Sequence, residues 1–428
     1  MRILNCFLAL GIMTTINSTL GADLEQADPA SVGVSARGLA ELKSRVNAMI
    51  TKGERAGVVY AIARKGKIVA LEALGKRDLE RDLPMENNTS FRIYSMSRAV
   101  TSAAALTLID EQKLRLDDPV MKYIPSIAKM KVIKQASGND VVLENQSPPM
   151  TVRHLFTYTS GLGYANDWPK SFNFQQRNVL DPDVTLADGI ENLTTYPLLY
   201  QPGAKWHYGF SGDVLGRVAE VASAQPLDAF LKSRLFERIG MRDTGFWISE
   251  ADAQKHRLAE VYTRRTATDQ LTNTTATATP LSHFTRPGKL FSAGGGLVST
   301  VPDYLRFIQM LLNGGVLDGQ KILNPETVRM MLSQQTTTDQ GAVYWYAPGQ
   351  FTSVTGYYWG LAIGVRPNNA DASVPGRPGE VGWSGLANTF FLINLKEQVV
   401  AVVMAQYQGI NGNDLSTIFR SGVYGALQ

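Results

Sequence analysis

Phe91-Arg92-Ile93-Tyr94-Ser95-Met96-Ser97-Arg98 opens a segment that continues to Gln112 rich in Ala and Leu, with neither Gly nor Pro. That composition predicts a mostly buried helix over 95–112 with Ser95 in its first turn. A serine at a helix start has its oxygen beside free backbone N–H groups and the positive end of the helix dipole, an arrangement suited to acyl transfer. Position 98 lies one helical turn on, on the same face, and is arginine.

Working outward, Ala36–Ile50 has helical apolar spacing at Leu39, Leu42, Val46 and Ile50. Val58–Arg64 and Lys67–Leu74 are β-rich runs joined at Lys65-Gly66, which predicts a hairpin. From about Leu116 to Pro287 the chain is rich in turns, with helical patterns at Thr151–Tyr158, Ser211–Ala222 and Pro226–Ile239 and little strand pattern. Trp359–Val365, Thr389–Asn394 and Gln398–Met404 are strand-like, and Asp414–Ala426 predicts a closing helix. Strands at both ends with helices between them predict an α+β fold: an antiparallel sheet built from both termini, flanked by helices, with an inserted mainly helical lobe. The expected division is 23–94 and 288–428 for the α/β lobe and 95–287 for the helical lobe.

Residues 1–22, with Arg2, an apolar stretch from Ile3 to Ile12 and a small-residue exit at Gly21-Ala22, have the layout of a secretory signal peptide, so an exported, periplasmic or secreted protein is expected. The single cysteine, Cys6, lies inside that segment, so the mature chain would carry no thiol, which excludes disulfides and cysteine catalysis. No later stretch approaches the ~18 apolar residues of a membrane span. The formal net charge of +4 arises from 42 basic and 38 acidic residues with no Lys/Arg run, which argues against a nucleic-acid partner. The histidines His154, His207, His256 and His283 lie far apart and outside any H-E-x-x-H, and no phosphate-binding glycine motif occurs, so no cofactor or metal is expected. Gly382-Trp383-Ser384-Gly385 begins like a nucleophile elbow, but Leu386 stands where G-x-S-x-G requires its last Gly.

Three features remain in chain order: Ser95-Met96-Ser97-Arg98, Tyr208 within Trp206-His207-Tyr208-Gly209, and Trp383-Ser384-Gly385 entering a strand. Together with Leu114–Val120, Arg153–Leu162, Asp213–Gly216, Gly240–Phe246 and Gly294–Thr300, they make the chain resemble the serine β-lactamase-like and penicillin-binding-protein-like hydrolases, in particular class C β-lactamases and family VIII carboxylesterases. The resemblance implies that Ser95 is the acylated serine and that Tyr208, the tyrosine of Y-x-N, relays its proton. Phe210 stands at that motif's Asn among the substrate contacts, and Trp383-Ser384-Gly385 replaces K-T-G. It also implies that the backbone N–H groups of Ser95 and Leu386 form an oxyanion hole, with Ser384 and Gly385 beside the substrate. The missing lysine of K-T-G removes a cation that would hold a β-lactam carboxylate, which favours neutral esters.

In S-x-x-K the fourth position is a lysine that helps remove the serine proton. Arg98 cannot act as a general base near neutral pH, so it is expected to supply positive charge that favours a phenolate at Tyr208 as proton acceptor. A literal S-x-x-K occurs at Ser126-Ile127-Ala128-Lys129 and is a rival nucleophile site. The aromatics of Trp168–Phe174, with Tyr344, Trp345, Tyr357 and Tyr358, are candidates for lining an apolar acyl pocket. Two functions follow. One is a serine carboxylesterase acting on a small ester or amide, with weak β-lactamase or acyltransferase side activity. The other is a catalytically impaired relative that binds acyl or cell-wall ligands, suggested by Arg98 and by the missing Asn at 210.

Overall fold

The computed structural model describes residues 24–428 apart from 139, 176–178, 250–256, 342, 348–349, 354–355, 368–374 and 413. The signal-peptide segment, Cys6 and His256 therefore lie outside the described residues.

Helix α1, Ala36–Thr51, starts where the Ser35 hydroxyl accepts the Gly38 N–H and buries Leu42, Val46 and Met49. Strands β1 (Gly57–Arg64) and β2 (Lys67–Asp78) form the expected hairpin. Its two turn residues, Lys65 and Gly66, have φ of 52° and 76°, the geometry that matches the twist of the flanking strands. A short β3, Leu83–Pro84, follows. The remaining strands of this sheet come from the far end of the chain: β4 (Tyr358–Trp359), β5 (Gly364–Val365), β6 (Glu380–Gly385), β7 (Thr389–Asn394) and β8 (Val399–Met404). The order is β4-β5-β6-β7-β8-β1-β2-β3, antiparallel throughout, so the inner pair β8–β1 joins the two ends of the chain.

Register decides what each face carries, because side chains directly opposite one another share a face. Tyr60, Val403 and Phe390 align, and Tyr60 meets Phe419 of the closing helix Asp414–Ala426, with ring centroids 5.6 Å apart. Ala61, Val402, Phe391 and Trp383 align on the other face, where Phe391 meets Tyr304 of the helix Val301–Leu312 at 5.2 Å. Trp383 thus points toward the helical part of the molecule.

That part lies between two short paired strands, Ser90–Arg92 and Val298–Thr300. Helix α2, Ser97–Asp110, runs through its middle and is buried from Ser97 to Leu108, which explains a sequence of small and apolar residues all round. The helix begins at Ser97 rather than Ser95, because Tyr94–Met96 forms a 3₁₀ turn first. Helix α5 (Ser211–Ser223) packs against α2, and α3 (Val152–Thr157) and α4 (Leu186–Leu193) pack in turn against α5. The predicted helix at Pro226–Ile239 contains a wider π segment, Lys232–Phe236, between α-helical Leu227–Leu231 and Glu237–Ile239. The pattern also missed a hairpin, Val132–Ser137 with Asp140–Glu144, whose strands are largely exposed. Among the described residues no helix is long and apolar enough to cross a membrane.

One buried ion pair ties the sheet to the closing helix. Glu380 of β6, fully buried, lies 2.9 Å from Arg420 Nε and accepts a 2.8 Å hydrogen bond from the Tyr357 hydroxyl. Removing one member of such a pair leaves a buried charge uncompensated. Glu380→Ala is therefore expected to lower the unfolding free energy by about 3–5 kcal/mol, seen as an earlier urea midpoint.

Candidate active site

The turn that carries Ser95 is fixed by contacts on both sides. The Ile93 N–H bonds the Leu297 carbonyl at 3.0 Å, Ser97 Oγ accepts the Leu297 N–H at 3.2 Å, and the Tyr304 hydroxyl donates to the Met96 carbonyl at 3.0 Å. Tyr94 has φ of 41°, a left-handed conformation uncommon for an aromatic residue. Ser95 follows it and faces a cavity of about 480 Å³. Among the described residues its hydroxyl has no hydrogen-bond partner, unlike that of its neighbour Ser97.

Tyr208, Trp383, Ser384, Gly385 and Leu386 share the wall with Ser95. The Trp383 indole N–H donates to the Tyr208 oxygen at 3.1 Å, and the Trp383 ring stands perpendicular to Trp359 at 4.5 Å. Gly385 ends β6 against the Ser95 turn. A Cβ there would lie 2.2 Å from the Ile93 carbonyl oxygen, so only glycine permits this approach. The approach brings the turn at Leu386 to the same cavity, and among the described residues neither the Ser95 nor the Leu386 N–H is taken up by a protein acceptor. The described wall contains the carboxylates Asp167 and Asp213 and no lysine or arginine.

Arg98 lies behind this wall, 2% exposed. One terminal nitrogen, Nη1, donates to the Tyr158 hydroxyl at 2.5 Å and to the Gly209 carbonyl at 3.3 Å, and Nη2 donates to the Tyr164 hydroxyl. The guanidinium carbon sits 4.5 Å from the Tyr208 ring centroid, so the cation faces the ring rather than bonding the oxygen. Asp213, also buried, completes the surroundings. Its Oδ1 accepts the Ser292 hydroxyl at 2.7 Å and the Gly294 N–H at 3.1 Å. Burial alone would disfavour the Arg98 charge, but attraction to the oxygens of Tyr158, Tyr164 and Tyr208 and to Asp213 holds the guanidinium protonated, above its ordinary range. Burial pushes the Tyr158 and Tyr164 hydroxyls upward, against the opposing pull of Arg98, so both remain protonated. Burial likewise raises Asp213, again opposed by Arg98.

The structure therefore brings together Ser95, Tyr208, Trp383, Ser384, Gly385 and Leu386, with Arg98 one layer behind. Phe210 is a correction. It does not line the cavity but is fully buried at the start of α5, its ring 5.0 Å from Tyr164 and 5.8 Å from Phe174, because an apolar ring next to a buried helix start gains more inside an aromatic cluster than at a wet wall. Trp168 and Phe174 stack at 4.5 Å in that same cluster rather than on the wall. Tyr357 and Tyr358 stand apart from the cavity, and the side chains of Tyr344 and Trp345 lie outside the described residues. The rival Ser126 sits in a surface 3₁₀ turn with its hydroxyl on Glu191 at 3.0 Å, and Lys129 is exposed; neither lines the cavity that Ser95 faces. His207 is not among the lining residues; its Nε2 lies 3.0 Å from the Asp167 carboxylate. Tyr158, Tyr164 and Asp213 were missed as site residues. The available signal was Arg98 itself, since an arginine in a helix as apolar as α2 must find acceptors elsewhere.

Residues 42–420 match the beta-lactamase family, and the chain belongs to that family. Protein Rv1367c of Mycobacterium tuberculosis (strain ATCC 25618 / H37Rv) is 34% identical over 370 residues, spanning 83% of this chain and 86% of that protein. Esterase EstB of Burkholderia gladioli is 28% identical over 420 residues, spanning 93% of this chain and 98% of that one. Among solved structures, EstCE1, a hydrolase with promiscuous acyltransferase activity, matches with a TM-score of 0.73 at 24% identity over 91% of this chain and 99% of its own, which establishes the shared fold.

A Cβ on Gly294 would lie 2.5 Å from Asp213 Oδ2 and 3.1 Å from Arg98 Nη1, whereas one on Gly425, in the closing helix, would meet nothing within 4 Å. Gly294→Ala is thus expected to cost about 1–3 kcal/mol by overpacking. Gly425→Ala is expected to stabilise by about 0.5–1 kcal/mol. Urea denaturation of the two variants checks the contrast.

Proposed function

We propose that the protein is a serine hydrolase of small neutral carboxylic esters, working through an acyl-Ser95 intermediate. The observation that carries this reading is a serine hydroxyl with no protein partner, in a cavity wall shared with the bonded pair Tyr208–Trp383. In this reading Ser95 Oγ adds to the ester carbonyl carbon and its proton passes to the Tyr208 oxygen, cast as a phenolate; the Trp383 N–H donates to that oxygen and the Arg98 guanidinium faces the ring. The carbonyl oxygen becomes an oxyanion held by the N–H groups of Ser95 and Leu386. As the tetrahedral species collapses the C–O bond breaks, and the proton on Tyr208 goes to the departing alkoxide. Water then attacks the acyl-enzyme, giving its proton to Tyr208, and the acid leaves as Ser95 Oγ recovers that proton.

A wall with two carboxylates and no described cation suits an uncharged ester better than a substrate bearing a carboxylate. The similarity to Esterase EstB along nearly its whole length supports the ester as substrate. No observation favours the non-catalytic reading: of its two grounds, Phe210 lies outside the cavity wall and Arg98 is built into the site. We also propose that the chain is exported, on the charge and apolar pattern of residues 1–22.

Labelling with a fluorophosphonate ester followed by peptide mass spectrometry is expected to modify Ser95; label on Ser126 instead, or none, overturns the assignment. Trp383→Phe removes one hydrogen bond to Tyr208 and is expected to lower kcat for p-nitrophenyl butyrate roughly five- to tenfold. Arg98→Lys keeps the charge but a single ammonium cannot serve the acceptors that the guanidinium fork serves, so hydrolysis is expected to fall as well. N-terminal sequencing of protein from a secreting host is expected to begin near Asp23.

A further inference from the structure

The hydroxyls of Tyr158 and Tyr164 both take an N–H from Arg98, yet they differ in one respect. Tyr158 is wholly enclosed, while Tyr164 stands in the cavity wall. The Tyr164 oxygen already accepts from the guanidinium, and among the described residues nothing accepts its own proton. With Tyr164 among the residues of the cavity wall, that proton is the one donor on its ring that the described protein leaves uncommitted. A cation bonded to the oxygen polarises the O–H and makes it a stronger donor.

The ring is held in place. The Tyr164 backbone N–H bonds Asp167 Oδ2 at 2.6 Å, and the ring meets Phe210 edge-on at 5.0 Å and Tyr208 at 5.8 Å. Asp167 is itself tied to His207 Nε2. Phe210, standing where a Y-x-N motif has its amide donor, supports this ring from behind instead of reaching the substrate. A donor is thus present near Tyr208 although position 210 cannot supply one.

Resting on the ester-hydrolase reading above, we infer that Tyr164 hydrogen-bonds the acyl part of the substrate, and that the enzyme selects esters whose acyl group carries an oxygen acceptor close to the scissile carbonyl over plain alkyl esters. The acyl side is part of the inference: in the reading above Tyr208, whose oxygen bonds Trp383, protonates the departing alkoxide, and Tyr164, bonded to Arg98 instead, is given to the acyl side.

The test uses p-nitrophenyl methoxyacetate and p-nitrophenyl butyrate, which have the same chain length and differ by an ether oxygen in place of a methylene. Their kcat/KM values are measured on the full mature chain and on Tyr164→Phe. Loss of the hydroxyl is expected to lower both, and to lower methoxyacetate at least about fivefold more than butyrate, the effect of one hydrogen bond. Comparing enzymes rather than substrates cancels the greater intrinsic reactivity of the methoxyacetate. Equal losses within about twofold overturn the inference. Should the variant not fold, the wild-type selectivity decides: relative to the hydroxide-catalysed rates, methoxyacetate is expected to be preferred, and absence of that preference overturns the inference while leaving the esterase intact. Turnover of neither ester by a wild-type enzyme overturns the esterase reading itself, and this inference with it.

Discussion

A guanidinium enclosed at the centre of this fold is the constraint on which the site depends. An unpaired buried cation costs several kcal/mol, so the chain around Arg98 must supply oxygens from independent segments and hold them still. It does so with Tyr158 after α3, Tyr164 in the following loop, the Gly209 carbonyl before α5, and Asp213 within α5. Each of these segments is thereby referenced to α2 and so to Ser95. The Arg98 cation also faces the Tyr208 ring, 4.5 Å from its centroid, and so helps to locate it.

The second requirement comes from the sheet. Trp383 reaches Tyr208 because it alternates onto the same face as Phe391, Val402 and Ala61. A slip of one residue between β6 and β7 would turn Trp383 to the face of the closing helix and remove the partner of the Tyr208 oxygen. The buried Glu380–Arg420 pair, at the opposite end of β6 from Gly385, opposes such a slip, since moving Glu380 would strand a charge. Catalytic geometry and sheet register are in this sense one property.

Much of this was legible in the sequence, and the exceptions have physical causes. Lys65-Gly66 between two β-branched runs announced the hairpin, and the small, apolar composition of 97–108 announced a helix buried on every side. The order Ser95, Tyr208, Trp383 pointed to a candidate site through the family resemblance those patterns carry, and the three line one cavity. Tyr158 and Tyr164 escaped notice because their role is a contact with a residue 60 and 66 positions away, to which no periodicity refers. Phe210 was misplaced because a motif position says where the backbone goes, while the aromatic cluster of Tyr164, Trp168 and Phe174 determines where an apolar ring turns. The hairpin at Val132–Glu144 escaped the pattern because its apolar residues, Val142 and Leu143 among them, are exposed, so no buried face sets an alternation.

The inner pairing of β1 with β8 has a consequence for how the molecule comes into being. Arg55 and Asn388, bonded beside this junction, are 333 positions apart, so the sheet cannot close until nearly the whole chain exists. Contacts of that span are slow to form, because the loop between them must lose its freedom before any pairing rewards it. The intervening helices can collapse around α2 while β1 and β2 wait as an open edge, exposed to pairing with other chains. The residues that enclose Arg98 (Tyr158, Tyr164, Gly209 and Asp213) all precede Trp383 in the chain, so they are synthesised before the strand that brings Trp383 to them.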